Sequence, residues 1–187
     1  MKVANLKLLP HTLEHVRALV EGSDAYERRF GLPVADGVGG FLAGPEVSEA
    51  FLERLRASTE DDPWKDGFGV VHVADNLLIG LCSFGGPPSR QGTVEISYGI
   101  APSYRGRGFA TEATRLIVAR AFEDERVRAV QAHTLPEQNA STKVLEKCGF
   151  TLQAELMHPE DGLIWRWELQ RQRPNQAMQG TAGRSDV

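Results

Sequence analysis

The chain has 187 residues, 41% of them hydrophobic, with 21 lysines and arginines against 25 aspartates and glutamates for a formal net charge of -4. That length suits one domain with its own core, and the slight acidic balance argues against a general nucleic-acid-binding surface. Apolar runs such as the one from Asn76 to Leu81 are too short to cross a bilayer, and the opening Met1 to Leu6 lacks the apolar stretch of a secretory signal, so a cytoplasmic protein is expected.

Leu6 and Leu8 alternate with Lys7 as in a short strand, and Thr12 then caps a helix with Leu13, Val16, Leu19 and Val20 on one face. Residues 22–44 scatter Tyr26, Phe30, Leu32, Val34, Val38 and Phe41 without a clean period, which reads as partly loop. Val47, Phe51, Leu52 and Leu55 mark a second helix from about Pro45 to before Asp61. Val71 and Val73, the turn Asp75-Asn76 and the run Leu77 to Phe84 read as a hairpin.

Thr93 to Ala101 alternates Val94, Ile96, Tyr98 and Ile100 with Glu95, Ser97 and Gly99, so one strand face packs and the other is polar. A helix from Phe109 to about Asp124 leads to a strand at Val127 to Thr134. That crossover makes the two strands parallel. Asn139 to Lys147 is a short helix stopped by Gly149, and Phe150 to Leu156 and Leu163 to Leu169 form a final antiparallel pair. Cys82 and Cys148 read as small core hydrophobes. Residues 171–187 are polar and read as a mobile tail, leaving 1–170 as the single domain. Trp165 and Trp167 share a face of the last strand, an apolar row suited to self-association or to burial within one subunit.

The chemistry concentrates between the polar strand and the helix that follows it. Arg105-Gly106-Arg107-Gly108-Phe109-Ala110 places a glycine-rich turn before a helix N-terminus, where inward N–H groups and the helix dipole hold phosphate. No lysine and hydroxyl follow the glycines, which argues against a nucleoside-triphosphate loop, and Thr111 replaces the third glycine of a dinucleotide fingerprint. His72 and His133 lack a Cys/His companion pattern, so no metal is expected.

Two segments carry a resemblance. Tyr98-Gly-Ile-Ala-Pro-Ser-Tyr-Arg-Gly-Arg-Gly-Phe-Ala-Thr-Glu-Ala113 and Asn139-Ala-Ser-Thr-Lys-Val-Leu-Glu-Lys-Cys-Gly-Phe150 resemble the GNAT superfamily of acyl-CoA-dependent N-acetyltransferases, in particular the RimJ/RimL-type branch that acetylates ribosomal-protein N-termini. The resemblance covers about residues 5–170. It implies an α+β (mixed α/β) three-layer fold with a central mixed, splayed sheet flanked by helices, and acetyl-CoA as co-substrate. It places the pantetheine beside Ile100 and Ala101, the pyrophosphate around Arg105, Gly106, Arg107, Gly108, Phe109 and Ala110, and Asn139 against the cofactor.

Direct transfer of an acetyl group to an amine needs a proton acceptor and relief for the departing thiolate. Glu95, on the polar face of the strand leading into the turn, is the candidate base. Many family members have a tyrosine where this chain has Leu145, so Ser141 is the candidate proton donor, with a helix-cap role as its competing explanation. The resemblance also implies a homodimer. The acceptor stays open between a protein N-terminus and a small amine, and an acidic pocket near Tyr26, Asp36 and Glu95 would mark the latter.

Overall fold

The computed structural model describes residues 5–43, 49–158 and 162–172. The N-terminal strand β1 (Leu6–Pro10) leads to α1 (Leu13–Glu21), α2 (Ser23–Phe30), the short α3 (Gly40–Ala43) and α4 (Glu49–Ala57). Next come β2 (Phe68–His72), β3 (Leu77–Phe84), β4 (Thr93–Ile100), a single 3-10 turn at Pro102–Tyr104, and α5 (Phe109–Phe122). Strand β5 (Ala129–Thr134), α6 (Ala140–Lys147), β6 (Thr151–His158) and β7 (Gly162–Gln170) complete the described chain.

Seven strands form one sheet in the order β1-β2-β3-β4-β5-β7-β6. Neighbours are antiparallel except for the parallel pair β4 and β5, which are in register only at Thr93↔Ala129, Val94↔Val130 and Glu95↔Gln131. Beyond Glu95 the two strands separate, and a slot opens between them. The mixed sheet with helices agrees with the expected fold class.

Strand β4 shows why its alternation was readable. Val94, Ile96 and Ile100 are buried, whereas Glu95 and Ser97 are exposed. The apolar row packs against α5, whose Ala113, Ile117 and Ala121 are fully buried. Thr12 caps α1 by accepting the His15 N–H, as its sequence position suggests.

Helix α2 and the short α3 both fall in the stretch where the hydrophobic pattern shows no clean period, and α2 shows why. It buries only Ala25 and Tyr26, exposes Asp24, Glu27, Arg28 and Arg29, and is bounded by Gly22 and by Gly31 at φ 64°, a left-handed cap. Two buried residues in eight leave no period to read.

Arg171, the first residue of the expected tail, is held against the domain. The Arg171 N–H donates to the Arg128 carbonyl at 2.7 Å, its Nε to Val127 at 2.8 Å and its Nη2 to Asp124 at 2.7 Å, while its guanidinium covers the Phe122 ring. Residues 173–187 lie outside the described residues, as do Pro45 and Val47 at the expected start of α4. No helix among the described residues is long and apolar enough to span a membrane.

Trp167 is 3% exposed, and its Nε1 donates to Thr134 Oγ1 at 3.0 Å. Trp165 is half-buried with Nε1 donating to Glu155 Oε2 at 2.9 Å. Of the expected row Trp167 turns inward and Trp165 stays half-buried, and the exposed large apolar side chains among the described residues of this hairpin are Leu152, Met157 and Leu163. Cys82 is buried and burial pushes its thiol up, while Cys148 Sγ reaches the Thr111 carbonyl and helps seat α6 on α5.

Candidate active site

The slot between β4 and β5 is built from backbone. Ala101 N–H donates to Ile79 and Gly85 N–H to the Glu95 carbonyl, which fixes the hydrogen-bonding phase of β4 against β3. The alternate residues Ile96, Tyr98 and Ile100 must therefore turn their main-chain groups away from β3. For Tyr98 and Ile100 that direction leads into the slot, because the β4–β5 ladder has already stopped. Ala101 is fully buried with its N–H engaged, so of the expected pair only Ile100 offers an N–H there.

The turn beyond the slot has the shape of an anion cradle. Gly106 and Gly108 have φ of 72° and 85°, a region that side chains beyond glycine avoid, and the space where a Cβ would project is empty at both. Glu112 N–H is the first of the helix to find a helical partner, the Gly108 carbonyl. The N–H groups of Phe109, Ala110 and Thr111 thus open α5 without one, at the positive end of its dipole. The Arg105 Nε folds back onto the Ile100 carbonyl at 3.0 Å. Arg107 lies over the rings of Tyr104 and Phe109 at 5.0 and 5.1 Å.

This turn is braced from the β2–β3 hairpin. Tyr104 OH donates to Asp75 Oδ2 at 2.6 Å, a bond that holds the Asp75 carboxyl below its usual range and raises the Tyr104 phenol. His72 Nδ1 approaches the same oxygen at 2.9 Å without the alignment of a hydrogen bond, and its ring meets Phe109 edge-on.

Glu95 stands where β4 leaves β5, with its side chain half-exposed on the face opposite α5 and α6. Its Oε1 lies 2.8 Å from His133 Nδ1. His133 comes two residues after Gln131, the last partner of β4, so the pair bridges the apex of the slot. Across β7 from His133 sits Arg166, whose buried Nε has no hydrogen-bond partner among the described residues. Gly85, paired opposite Glu95, carries no side chain, and a Cβ there would stand 3.7 Å from Glu95 Oε2. The carboxylate consequently stays open on that side.

On the same face a cleft of about 440 Å³ joins a second of about 300 Å³ through Phe41, Leu42, Phe51, Leu81, Ser83 and Ser97. Strands β3 and β4 form its floor, where Ser83 and Ser97 hydrogen-bond one another at 2.8 Å. Helices α3 and α4 supply the aromatic wall. The Phe41 ring presses on β4 so closely that a Cβ at Gly99 would lie 3.0 Å from it. Tyr26 is absent from this wall. It is fully buried, hydrogen-bonded to His11 Nε2 at 3.0 Å, and Asp36 lies instead beside Pro102 and Tyr104. The trio Tyr26, Asp36 and Glu95 does not form a pocket.

Helix α6 brings Asn139 and Ser141 to the other side of the slot. Asn139 Oδ1 accepts the N–H groups of Ser141 and Thr142 at 2.9 and 3.1 Å, while Thr142 Oγ1 accepts the Asn139 N–H at 3.0 Å. The asparagine is thus the helix cap, with its amide NH₂ left for other partners. Ser141 is not the cap residue; it gives its main-chain N–H to the Asn139 cap. Tyr98 ties the two elements, its OH donating to the Ser141 carbonyl at 3.3 Å, and burial pushes that phenol up to about 12. Leu145 is fully buried in the core. Among the described residues no cluster of three or more His, Cys, Asp or Glu side chains suits a metal.

His133 is the site residue that the sequence did not reveal. Its signal was a histidine on the polar side of a strand predicted to lie parallel to the one carrying Glu95, but the register needed to join them came only with the fold.

The acetyltransferase (GNAT) domain model matches residues 5–151. "Probable N-acetyltransferase YjcK" of Bacillus subtilis is 36% identical over 84 residues, 44% of this chain and 46% of that protein. The chain spans about half the length of the curated relatives it matches. Among solved structures, a mutant of the spermidine N-acetyltransferase SpeG from Vibrio cholerae is similar at a TM-score of 0.64 and 19% identity, covering 90% of this chain and 95% of that one. The AAC(6')-Ib structure with ribostamycin and coenzyme A is similar at 0.60 and 21%, covering 89% and 94%. The interrupted parallel pair, the glycine cradle and the matched residues make this chain a member of the acetyltransferase (GNAT) domain family.

Proposed function

We propose that this chain moves the acetyl group of acetyl-CoA directly to a primary amine. The observation that carries the proposal is the position of Glu95, a half-exposed carboxylate at the apex of the slot, held by His133 on the same sheet face as Ser97 of the cleft floor. The residues present fit the co-substrate. The N–H groups from Gly106 to Ala110 suit a pyrophosphate, and the main chain of Tyr98 and Ile100 suits an amide-bearing arm lying in the slot. Arg105, Arg107 and the Asn139 amide stand around it.

Acetyl-CoA supplies an acetyl thioester. Glu95 accepts, directly or through water, the proton that the amine loses as its nitrogen bonds to the acetyl carbon and the carbon–sulfur bond breaks. The Ile100 N–H, aimed into the slot, polarises the carbonyl. Ser141 gives its proton to the departing sulfur and regains one from solvent. His133 holds the carboxylate in place.

A protein N-terminal α-amine is the acceptor class we place first, as in the RimJ/RimL-type branch. Its reference pKa of about 8 demands less of Glu95 than a lysine amine near 10.4. The chain acts as a homodimer through the exposed side chains of the β6–β7 hairpin. Calorimetry with CoA and acetyl-CoA, followed by a thiol-release assay across peptides and small amines, tests the reading. Binding of both cofactors with amine-dependent thiol release is expected, and a folded protein that binds neither overturns it.

A further inference from the structure

From the cleft we infer that the acceptor is a primary amine with a single positive charge carried on an apolar body about the size of an aromatic ring. This rests on the acetyltransferase reading and narrows it. The larger part of the cleft is walled by Phe41, Leu42, Phe51 and Leu81, and among the described residues no acidic side chain lines it. Its two serine hydroxyls bond to each other, so the floor presents little unmet polarity. A volume of about 440 Å³ with such walls suits an apolar group of one ring or one long side chain.

Charge selects in the same direction. The acidic residues nearest the cleft are engaged: Asp61 accepts the Leu13 N–H at 2.9 Å, Asp62 pairs with Lys65 at 2.7 Å, and Asp66 accepts the Asp62 N–H at 2.7 Å. Burial, ahead of the neighbouring carboxylates Asp61 and Asp62, raises the Asp66 pKa, and Asp66 lines only the smaller, adjoining part of the cleft. His11, at the back of the adjoining cavity, is kept neutral by burial. Arg54, a cation lining the adjoining part, lies over the Phe51 ring. Among the described residues, Glu95 is thus the carboxylate on this face that is not bonded to a main-chain N–H or a lysine, and it serves one ammonium. A second ammonium entering the part walled by Phe41, Leu42, Phe51 and Leu81 would be desolvated without a counter-charge among the described residues, whereas an apolar group gains by leaving water.

The test compares phenylalaninamide, glycinamide, spermidine and kanamycin as acceptors by thiol release, with a hexapeptide beginning with phenylalanine to separate a free amine from a chain terminus. Phenylalaninamide or the peptide should exceed spermidine and kanamycin in kcat/KM by at least about tenfold, and Phe41→Ala or the milder Phe41→Leu should compress the gap between phenylalaninamide and glycinamide. Calorimetry of phenylalaninamide and spermidine against the CoA-loaded chain keeps the inference testable if no amine is acetylated. Equal or tighter binding of spermidine, or no binding of phenylalaninamide, overturns it. Absence of thiol release with every amine, alongside selective phenylalaninamide binding, would instead count against the transferase reading alone.

Discussion

His133 Nδ1 and Glu95 Oε1 meet at 2.8 Å across the last point where β4 and β5 run together. The contact joins residues 38 positions apart and anchors the carboxylate on both strands of the slot. Glu95→Gln should leave CoA binding intact and lower kcat by about ten to ten-thousand-fold, the span for losing a general base. His133→Asn should lower kcat by about tenfold to a hundredfold through misplacement of that carboxylate, with KM for acetyl-CoA nearly unchanged. Steady-state kinetics beside CoA calorimetry separates the two effects. Full activity in both variants would remove the pair from the mechanism.

Gly108→Val should weaken CoA binding more than Arg107→Ala. Valine is strained at φ 85° and places its side chain into the space over the cradle. Alanine at 107 removes one exposed charge that rests on two rings. Calorimetry on the two folded variants gives the order directly.

Asp75→Asn removes the charge that receives the Tyr104 hydroxyl, so the turn following Tyr104 should loosen. CoA affinity is expected to fall by about threefold to tenfold while the thermal midpoint hardly moves, because the bond is exposed and carries little of the fold's stability. An unchanged dissociation constant would show that the cradle holds its shape without the hairpin.

Acid should destabilise the chain through His11. Burial, with a smaller contribution from His15, lowers its folded pKa to about 3 against 6.5 when unfolded. The unfolded chain therefore binds the extra proton between those values, and stability rises with pH through that window and is lost as pH falls. Urea unfolding at pH 7 and pH 5 should show the loss, and His11→Gln should flatten this part of the pH dependence.

Arg171→Ala should lower unfolding free energy by about 1–3 kcal/mol, since the side chain reaches two main-chain carbonyls and covers Phe122. Urea denaturation measures it. Truncation after Gln170 should cost at least as much, because it also removes the Arg171 N–H bond to Arg128.

Much of this architecture is written in short-range pattern. The strict alternation of β4, the glycine turn and the apolar stripe of α5 follow from strand and helix periods, and together they point to the glycine turn and to the polar strand face that carries Glu95. What stayed hidden depends on distances the pattern does not contain. Tyr26 and Phe41 looked alike as aromatics in an irregular stretch, yet one is sealed against His11 and the other lines the cleft. Asn139 drew attention as a ligand, and its carbonyl oxygen is engaged by its own helix. Joining His133 to Glu95 requires the register of two strands separated by a whole helix.

The slot itself is made by the ending of a hydrogen-bond ladder rather than by any side chain. Substitutions along β4 and β5 can therefore change what borders it without closing it, and only a shift in strand register would erase it. The wall of the neighbouring cleft has the opposite character, because α3 and α4 contribute it through the rings of Phe41 and Phe51. Evolution can exchange that wall while the donor groove is inherited almost passively, so two descendants of one ancestor can share a groove and prefer different amines.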